Sequence, residues 1–150
     1  MAPNAAEEIA LEHWVRRIRP QVYDEDESGP FYLEPRVHPS PSRRAPGWDA
    51  PSDAWSDEAL ASEPELAALA ALPPVDEPLS GAGLCPVSQR GADPLQLAMV
   101  VEVHRAAPMR NGHLHVLLEV SGYRRNDRFH LEVDVGAGVV VAWESTRVDF

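Results

Sequence analysis

Lysine is absent from this 150-residue chain, and cysteine occurs only once. Basic charge comes from arginine alone, which is typical of a high-GC coding genome. Because Cys85 has no second cysteine to pair with, an intrachain disulfide is excluded, and this favours a reducing compartment such as the cytoplasm. No signal-peptide core and no run of about 18 apolar residues occurs. We therefore expect a cytoplasmic protein that does not insert into a membrane.

Signatures of catalysis are also absent. The serines lack a GxSxG context, and no glycine-rich segment has the lysine of a phosphate-binding loop. Cys85 lies in a Gly-Leu-Cys-Pro loop without a neighbouring histidine to activate its thiol. The sequence therefore predicts a protein that is not an enzyme and that needs no cofactor.

Negative charge and proline are concentrated in the middle of the chain. Residues 20–93 contain 14 acidic residues and 4 arginines, which gives −10 of the total net charge of −11. Thirteen of the 15 prolines lie from Pro20 to Pro94. This surplus of acid argues against direct binding to nucleic acid or to an anionic membrane, since phosphates need clustered cations. Composition thus divides the chain into residues 1–19, 20–93 and 94–150.

The first part predicts an amphipathic helix over residues 5–19. Asn4 is the expected N-cap, because Glu7 follows it with the spacing of a capping box. Pro20 is the expected end of the helix. One apolar stripe contains Leu11, Trp14, Val15 and Ile18. This stripe needs a cover, which is either the protein's own sheet or a groove on a partner.

Residues 20–93 predict an extended arm. Six prolines between residues 30 and 51 argue against a helix and against a central strand. Ser62 begins a capping-box pattern, which predicts a short helix at residues 65–72. The arm also contains large apolar side chains that are costly to expose to water. We expect six of them to anchor the arm on a surface, and these partner-binding candidates are Phe31, Tyr32, Trp48, Trp55, Leu66 and Leu69.

Residues 94–150 alternate apolar and polar side chains, as strands do. Asn111-Gly112 predicts a hairpin, and Asn126-Asp127 and Gly136–Gly138 mark two further turns. One face of the resulting sheet is expected to be apolar and the other polar and open to water. The predicted fold class is α+β: a short N-terminal helix, a long Pro-rich acidic extended arm with one short helix, and a C-terminal four-stranded antiparallel β-meander.

Histidines are the main candidates for chemistry, since four of the six lie in the predicted meander. A two-residue turn at Asn111-Gly112 would place His104 opposite Glu119, and a loop centred on Arg124-Arg125 would place Glu119 opposite His130. Two imidazoles beside a carboxylate suit Zn²⁺ or Fe²⁺. Our first expectation is a solvated face without metal. The alternative is a metal site formed by His104, His115, Glu119 and His130.

The cluster of arginines near the second hairpin is a further binding candidate. Arg124 and Arg125 lie at its predicted tip, which is either a solvated turn or an anchor for the acidic arm or for an acidic partner. Taken together, the sequence predicts a small non-enzymatic binding protein, such as an accessory subunit, an inhibitor or an immunity-type protein. It would wrap a larger protein through its acidic arm, and a basic partner surface would fit that arm. The alternative is a metal-binding protein or metalloenzyme that uses the histidine face.

Overall fold

The computed structural model describes residues 3–24, 30–41, 78–80, 83–89, 98–122 and 125–149, with isolated positions at 64, 67–68 and 71. Within these ranges an N-terminal helical run packs on a mixed β-sheet and a short 3-10 helix spans Val87–Gln89, so the α+β class is confirmed. In the predicted helix at 65–72, the Ala71 N–H donates to the Ala67 carbonyl at 3.1 Å. No described helix is long and apolar enough to cross a membrane.

The N-terminal helical run is longer than the sequence predicted. It comprises α1 (Pro3–His13), a π-helical turn (Trp14–Ile18) and α2 (Arg19–Val22). Asn4 therefore lies inside the helix and is not its N-cap. The run also passes Pro20, which lies in the first turn of α2, directly after the π-helical turn. The predicted apolar stripe is buried against the protein's own sheet: Leu11, Trp14, Val15 and Ile18.

The sheet is larger and more mixed than a four-stranded antiparallel meander. Its described strands are β1 (Phe31–Leu33), β2 (His38–Pro41), β3 (Cys85–Pro86), β4 (Met99–Arg105), β5 (Ala107–Pro108), β6 (Leu114–Gly122), β7 (Arg125–Asp134) and β8 (Val139–Asp149). The strand order is β3-β1-β4-β6-β7-β8, with β2 beside β4 and β5 beside β6. Strands β4, β6, β7 and β8 pair antiparallel in chain order. Three strands from the predicted arm add parallel pairs, which correct the prediction.

The prolines of the arm did not exclude an interior strand. Strand β1 lies between β3 and β4, and its three residues fall between Pro30 and Pro35. No N–H is lost inside β1, because the prolines flank it. Strand β2 does contain Pro39 and Pro41, and it pairs only with β4 in the described part. A strand that needs hydrogen bonds on one side alone can accommodate proline.

Strand registers differ from the predicted ones for two local reasons. The first hairpin has a three-residue loop, because the Met109 N–H donates to the His113 carbonyl at 2.9 Å and Gly112 takes a φ of +89°. Between β4 and β5, the Ala106 N–H donates to Oε1 of Glu7 at 2.9 Å instead of to a strand. Glu119 therefore pairs with Glu102, not with His104.

The second hairpin is also shifted by two residues from its predicted register. Gly122 pairs with Arg125, and Glu119 consequently pairs with Arg128, not with His130. Asn126-Asp127 lies inside β7 and is not a turn. The turn at Gly136–Gly138 is confirmed, with the Gly138 N–H donating to the Val135 carbonyl at 3.1 Å.

One hydrophobic core draws on the helix, the arm and the strands. Trp14 is fully buried, and its ring makes edge contacts with Phe31 and Phe129 at centroid distances of 5.7 Å. Leu33 and Val37 from the arm are also buried in this core. The C-terminal strands therefore gain cover from both preceding parts of the chain.

Replacement of Leu118 by Ala is expected to destabilise the protein by about 2–5 kcal/mol, because a fully buried side chain leaves a cavity between the sheet and the helix. Urea unfolding measures this change. Val141, which is 48% exposed on β8, gives the matched control V141A, with an expected change under about 0.5 kcal/mol. Equal effects of the two variants would contradict the described core.

Glu7→Gln is expected to raise stability at alkaline pH. Burial raises the pKa of Glu7 to about 7, against the opposing effects of the Ala106 N–H and the Arg105 charge. Because the folded state favours the protonated acid, this group stabilises the fold most at low pH and loses that contribution as pH rises from about 4.5 to 7. Glutamine keeps the acceptor oxygen without the charge.

Urea unfolding at pH 5 and pH 8 tests this expectation. The advantage of Glu7→Gln over wild type should grow by up to about 3 kcal/mol between the two pH values. Glu12→Gln, an exposed change in the same helix, should show no such growth. A pH-independent difference between Glu7→Gln and wild type would show that Glu7 is ionised in the folded protein at both pH values.

Candidate metal centre

Polar side chains from three strands meet on the sheet face opposite the helix. Glu102 and His104 alternate with the core residues Val101 and Val103 along β4 and so point away from the helix. Glu119 on β6 pairs directly with Glu102. His38 on β2 pairs directly with His104, and their rings lie 4.5 Å apart. Backbone pairing alone therefore brings two histidines and two glutamates together.

The donor atoms of this cluster are close to one another. Single donor atoms of His38, Glu102 and His104 all lie within 4.8 Å. Oε1 of Glu102 is 3.6 Å from Nε2 of His38 and 3.8 Å from Nε2 of His104. On the other side of His104, the same Nε2 lies 3.3 Å from Oε1 of Glu119. Around tetrahedral zinc, neighbouring N and O ligands are about 3.3–3.6 Å apart, so His38, Glu102 and His104, whose donor atoms lie within 4.8 Å of one another, would move closer together to bind one ion. Glu119 lies outside this group of three and contacts it through His104.

Two glutamates face each other across the β4–β6 pair, which is an unfavourable arrangement without a compensating charge. Arg128 supplies part of that charge, with its Nε 3.9 Å from Oε1 of Glu119. Burial alone would raise the pKa of Glu119, but His104, Asn126 and Arg128 outweigh it and lower the pKa. Glu119 is therefore a carboxylate at neutral pH and a competent metal ligand.

His104 is the most constrained member of the cluster. Its side chain is almost fully buried, yet neither ring nitrogen makes a hydrogen bond of good geometry. Its Nε2 contacts Oε1 of Glu119, and this contact helps to lower the pKa of that carboxyl. A buried polar atom left in this way costs free energy, and a cation bound at Nε2 would recover it. His38 and Glu102 are about one-third exposed and give the site access to solvent.

The structure divides the metal site that the sequence had suggested into two groups. His104 and Glu119 are in contact, although they are not the directly paired residues that the sequence predicted, and His115 and His130 form a separate pair. His130 Nδ1 lies 3.3 Å from His115 Nε2, and the rings stack 5.4 Å apart. Burial lowers the pKa of His115, with a smaller effect from His130, and burial also lowers the pKa of His130 to about 4. Both imidazoles are therefore neutral at physiological pH.

The prediction that the histidine face is open to solvent is wrong for the middle of that face. His104, His115 and His130 are buried, as is Leu117 between them. Sequence reasoning also missed His38 and Glu102. Glu102 was visible as a polar residue of a predicted strand, but a single wrong register removed it from the site. His38 carried no usable signal, because its pairing with β4 joins distant parts of the chain.

The predicted partner-binding residues have different positions. Phe31 packs in the core against Trp14 and Tyr23 and receives the Arg19 guanidinium over its ring, while Tyr32 is half-buried. Arg125 donates from Nε to buried Asp127 at 2.8 Å. Asp127 also accepts from Arg147 at 2.9 Å and from the Tyr23 hydroxyl. The remaining candidates lie outside the described residues: Trp48, Trp55, Leu66, Leu69 and Arg124.

Comparison with known proteins adds no family to this description. No family model, no curated protein and no solved structure matches the chain.

Proposed function

We propose that this protein binds one divalent transition-metal ion, zinc by preference, through His38, Glu102 and His104, with Glu119 as the fourth ligand. The observation that supports this proposal most directly is the buried His104 imidazole between two carboxylates that face each other across paired strands. A divalent cation there would compensate the charge of the glutamate pair and give Nε2 of His104 a partner at once. Two nitrogen and two oxygen donors suit zinc, and the same set also accepts Fe²⁺.

The proposal assigns the ion a binding and structural role, in keeping with the expectation that the protein is not an enzyme. Four protein ligands leave a tetrahedral ion without a position for substrate. The ligands also come from three separate strands, so an ion would join them into one unit. Metal binding of this kind stabilises the folded state, because the unfolded chain does not hold the ligands together.

A second proposal concerns protein binding, the first expectation from the sequence. We propose that the acidic segment 20–93 contacts a larger protein with a basic surface. The net charge of −10 in that segment supports it, since such a charge speeds encounter with a basic partner. Strand β8 gives a second support, because Val139 and Val141 are about half exposed on the last strand of the described sheet. An exposed strand edge is a common place for another chain to pair.

Titration of the metal-free protein with zinc, followed by calorimetry, tests the first proposal. We expect one zinc ion per chain. His104→Ala removes a direct ligand, so it should weaken zinc binding by more than about 100-fold. That value is the upper end of the loss expected when a residue that only supports a ligand is removed. Cobalt substitution should give the intense visible absorption of a tetrahedral site.

His113 provides the matched control. His113 directly precedes β6 and also has a carboxylate neighbour, since its Nδ1 is 2.5 Å from Oε2 of Glu132. It is not part of the proposed cluster. His113→Ala should leave zinc affinity within about threefold of wild type, as for a residue without metal contact. Equal losses in H104A and H113A, or no binding by wild type, would refute the assignment.

Neutralising the acidic run at residues 24–27 tests the second proposal. Cross-linking in the cells that express the protein identifies the partner, and its affinity is then measured for wild type and for the quadruple variant D24N/E25Q/D26N/E27Q. We expect weaker binding and a smaller dependence on salt concentration, because fewer charge pairs form. Unchanged affinity and unchanged salt dependence would exclude this run as the contact.

A further inference from the structure

We infer that the metal ion fastens strand β2 to strand β4, so that the docking of residues 38–41 depends on metal occupancy. This inference rests on the proposed metal-binding function and names what the ion would control. The proposed ligands come from parts of the chain that are far apart in sequence: His38 belongs to the arm, whereas Glu102, His104 and Glu119 belong to β4 and β6. An ion that binds both parts therefore closes a long loop of chain.

Backbone pairing of β2 to β4 is irregular. Two of its four residues, Pro39 and Pro41, have no N–H and so add no backbone donor to the strand. Its register to β4 also shifts between its two paired positions, His38 with His104 and Pro41 with Arg105. β2 therefore forms a short, irregular ladder with β4, and the side-chain contacts of His38 add to it.

Immediately before β2, the arm is held in another way. Leu33 and Val37 are buried in the core. The Leu79 N–H donates to the Pro35 carbonyl at 2.8 Å, and this hydrogen bond holds the backbone between Leu33 and Val37. The segment up to Val37 therefore needs no ion to stay in place. Up to Val37 the arm is attached to the hydrophobic core, and from His38 onward it is attached to the His/Glu cluster.

Two side-chain contacts of His38 on β2 with the sheet lie at the proposed site. His38 Nε2 lies 3.6 Å from Oε1 of Glu102, and the His38 ring lies beside the ring of His104. A bound ion would turn these contacts into coordinate bonds at about 2.0–2.2 Å. Without it, two glutamates and two imidazoles remain in one cluster with less charge compensation. Metal binding should therefore order residues 38–41 more than any other described segment of the arm.

Amide hydrogen exchange on the full-length protein tests the inference, with zinc as the probe. The Ser40 amide reports on β2, and the Tyr32 amide in β1 is the internal control. We expect zinc saturation to slow exchange at Ser40 at least about tenfold and to change exchange at Tyr32 little, as for local opening confined to β2. His38→Gln should bind zinc about 10–100-fold more weakly and, at saturating zinc, should lose the slowing at Ser40.

The outcomes separate the inference from the function on which it rests. If wild type binds zinc but exchange at Ser40 does not change, the metal site stands and the inference is wrong. If His38→Gln retains the full slowing at Ser40, His38 is not the link, and the inference is again wrong. If calorimetry detects no zinc binding to wild type, the proposed function and the inference both fail. His113→Gln, a histidine change outside the cluster, should behave as wild type in both measurements.

Discussion

Backbone pairing along both edges of strand β4 is the interaction on which the rest of this structure depends. An unpaired strand edge leaves N–H and carbonyl groups without partners. Such an edge can also pair with another chain and lead to aggregation. Here β6 occupies one edge of β4, while β1 and β2 from the arm share the other. That arrangement brings the arm's buried residues into the core and also sets His38 beside His104.

The N-terminal helix fixes the geometry around β4 through two adjacent carboxylates. Glu7 accepts the Ala106 N–H at the end of β4, where the strand changes register. Glu8 accepts from both the backbone N–H and the hydroxyl of Ser80, each at 2.7 Å. One turn of helix thus holds the end of β4 and a returning segment of the arm. The buried position of Glu7 has a cost, which appears as its raised pKa.

The sheet face opposite the helix combines buried histidines with carboxylates at its margins. His115 and His130 are neutral and stacked in the centre. On one side lie His38, Glu102, His104 and Glu119. On the other, His113 contacts Glu132 and Asp134. The two flanking groups differ in a way that matters for metal binding. Nδ1 of His113 makes a hydrogen bond with Glu132, whereas neither nitrogen of buried His104 makes a hydrogen bond of good geometry.

The sequence by itself determined the local features of this protein. Period-two alternation located β6 and much of β7, and the 3.6-residue period found the buried stripe of the helix, because both patterns arise from backbone geometry alone. It could not determine the site. A hairpin loop one residue longer than expected and a backbone N–H bound to Glu7 shifted the register of β4 and replaced His104 by Glu102 opposite Glu119. The parallel pairing of β1 and β2 with β4 joins distant segments, and no local pattern encodes it. Only the tertiary structure decided that His38 completes the cluster, because long-range backbone pairing and burial place it there.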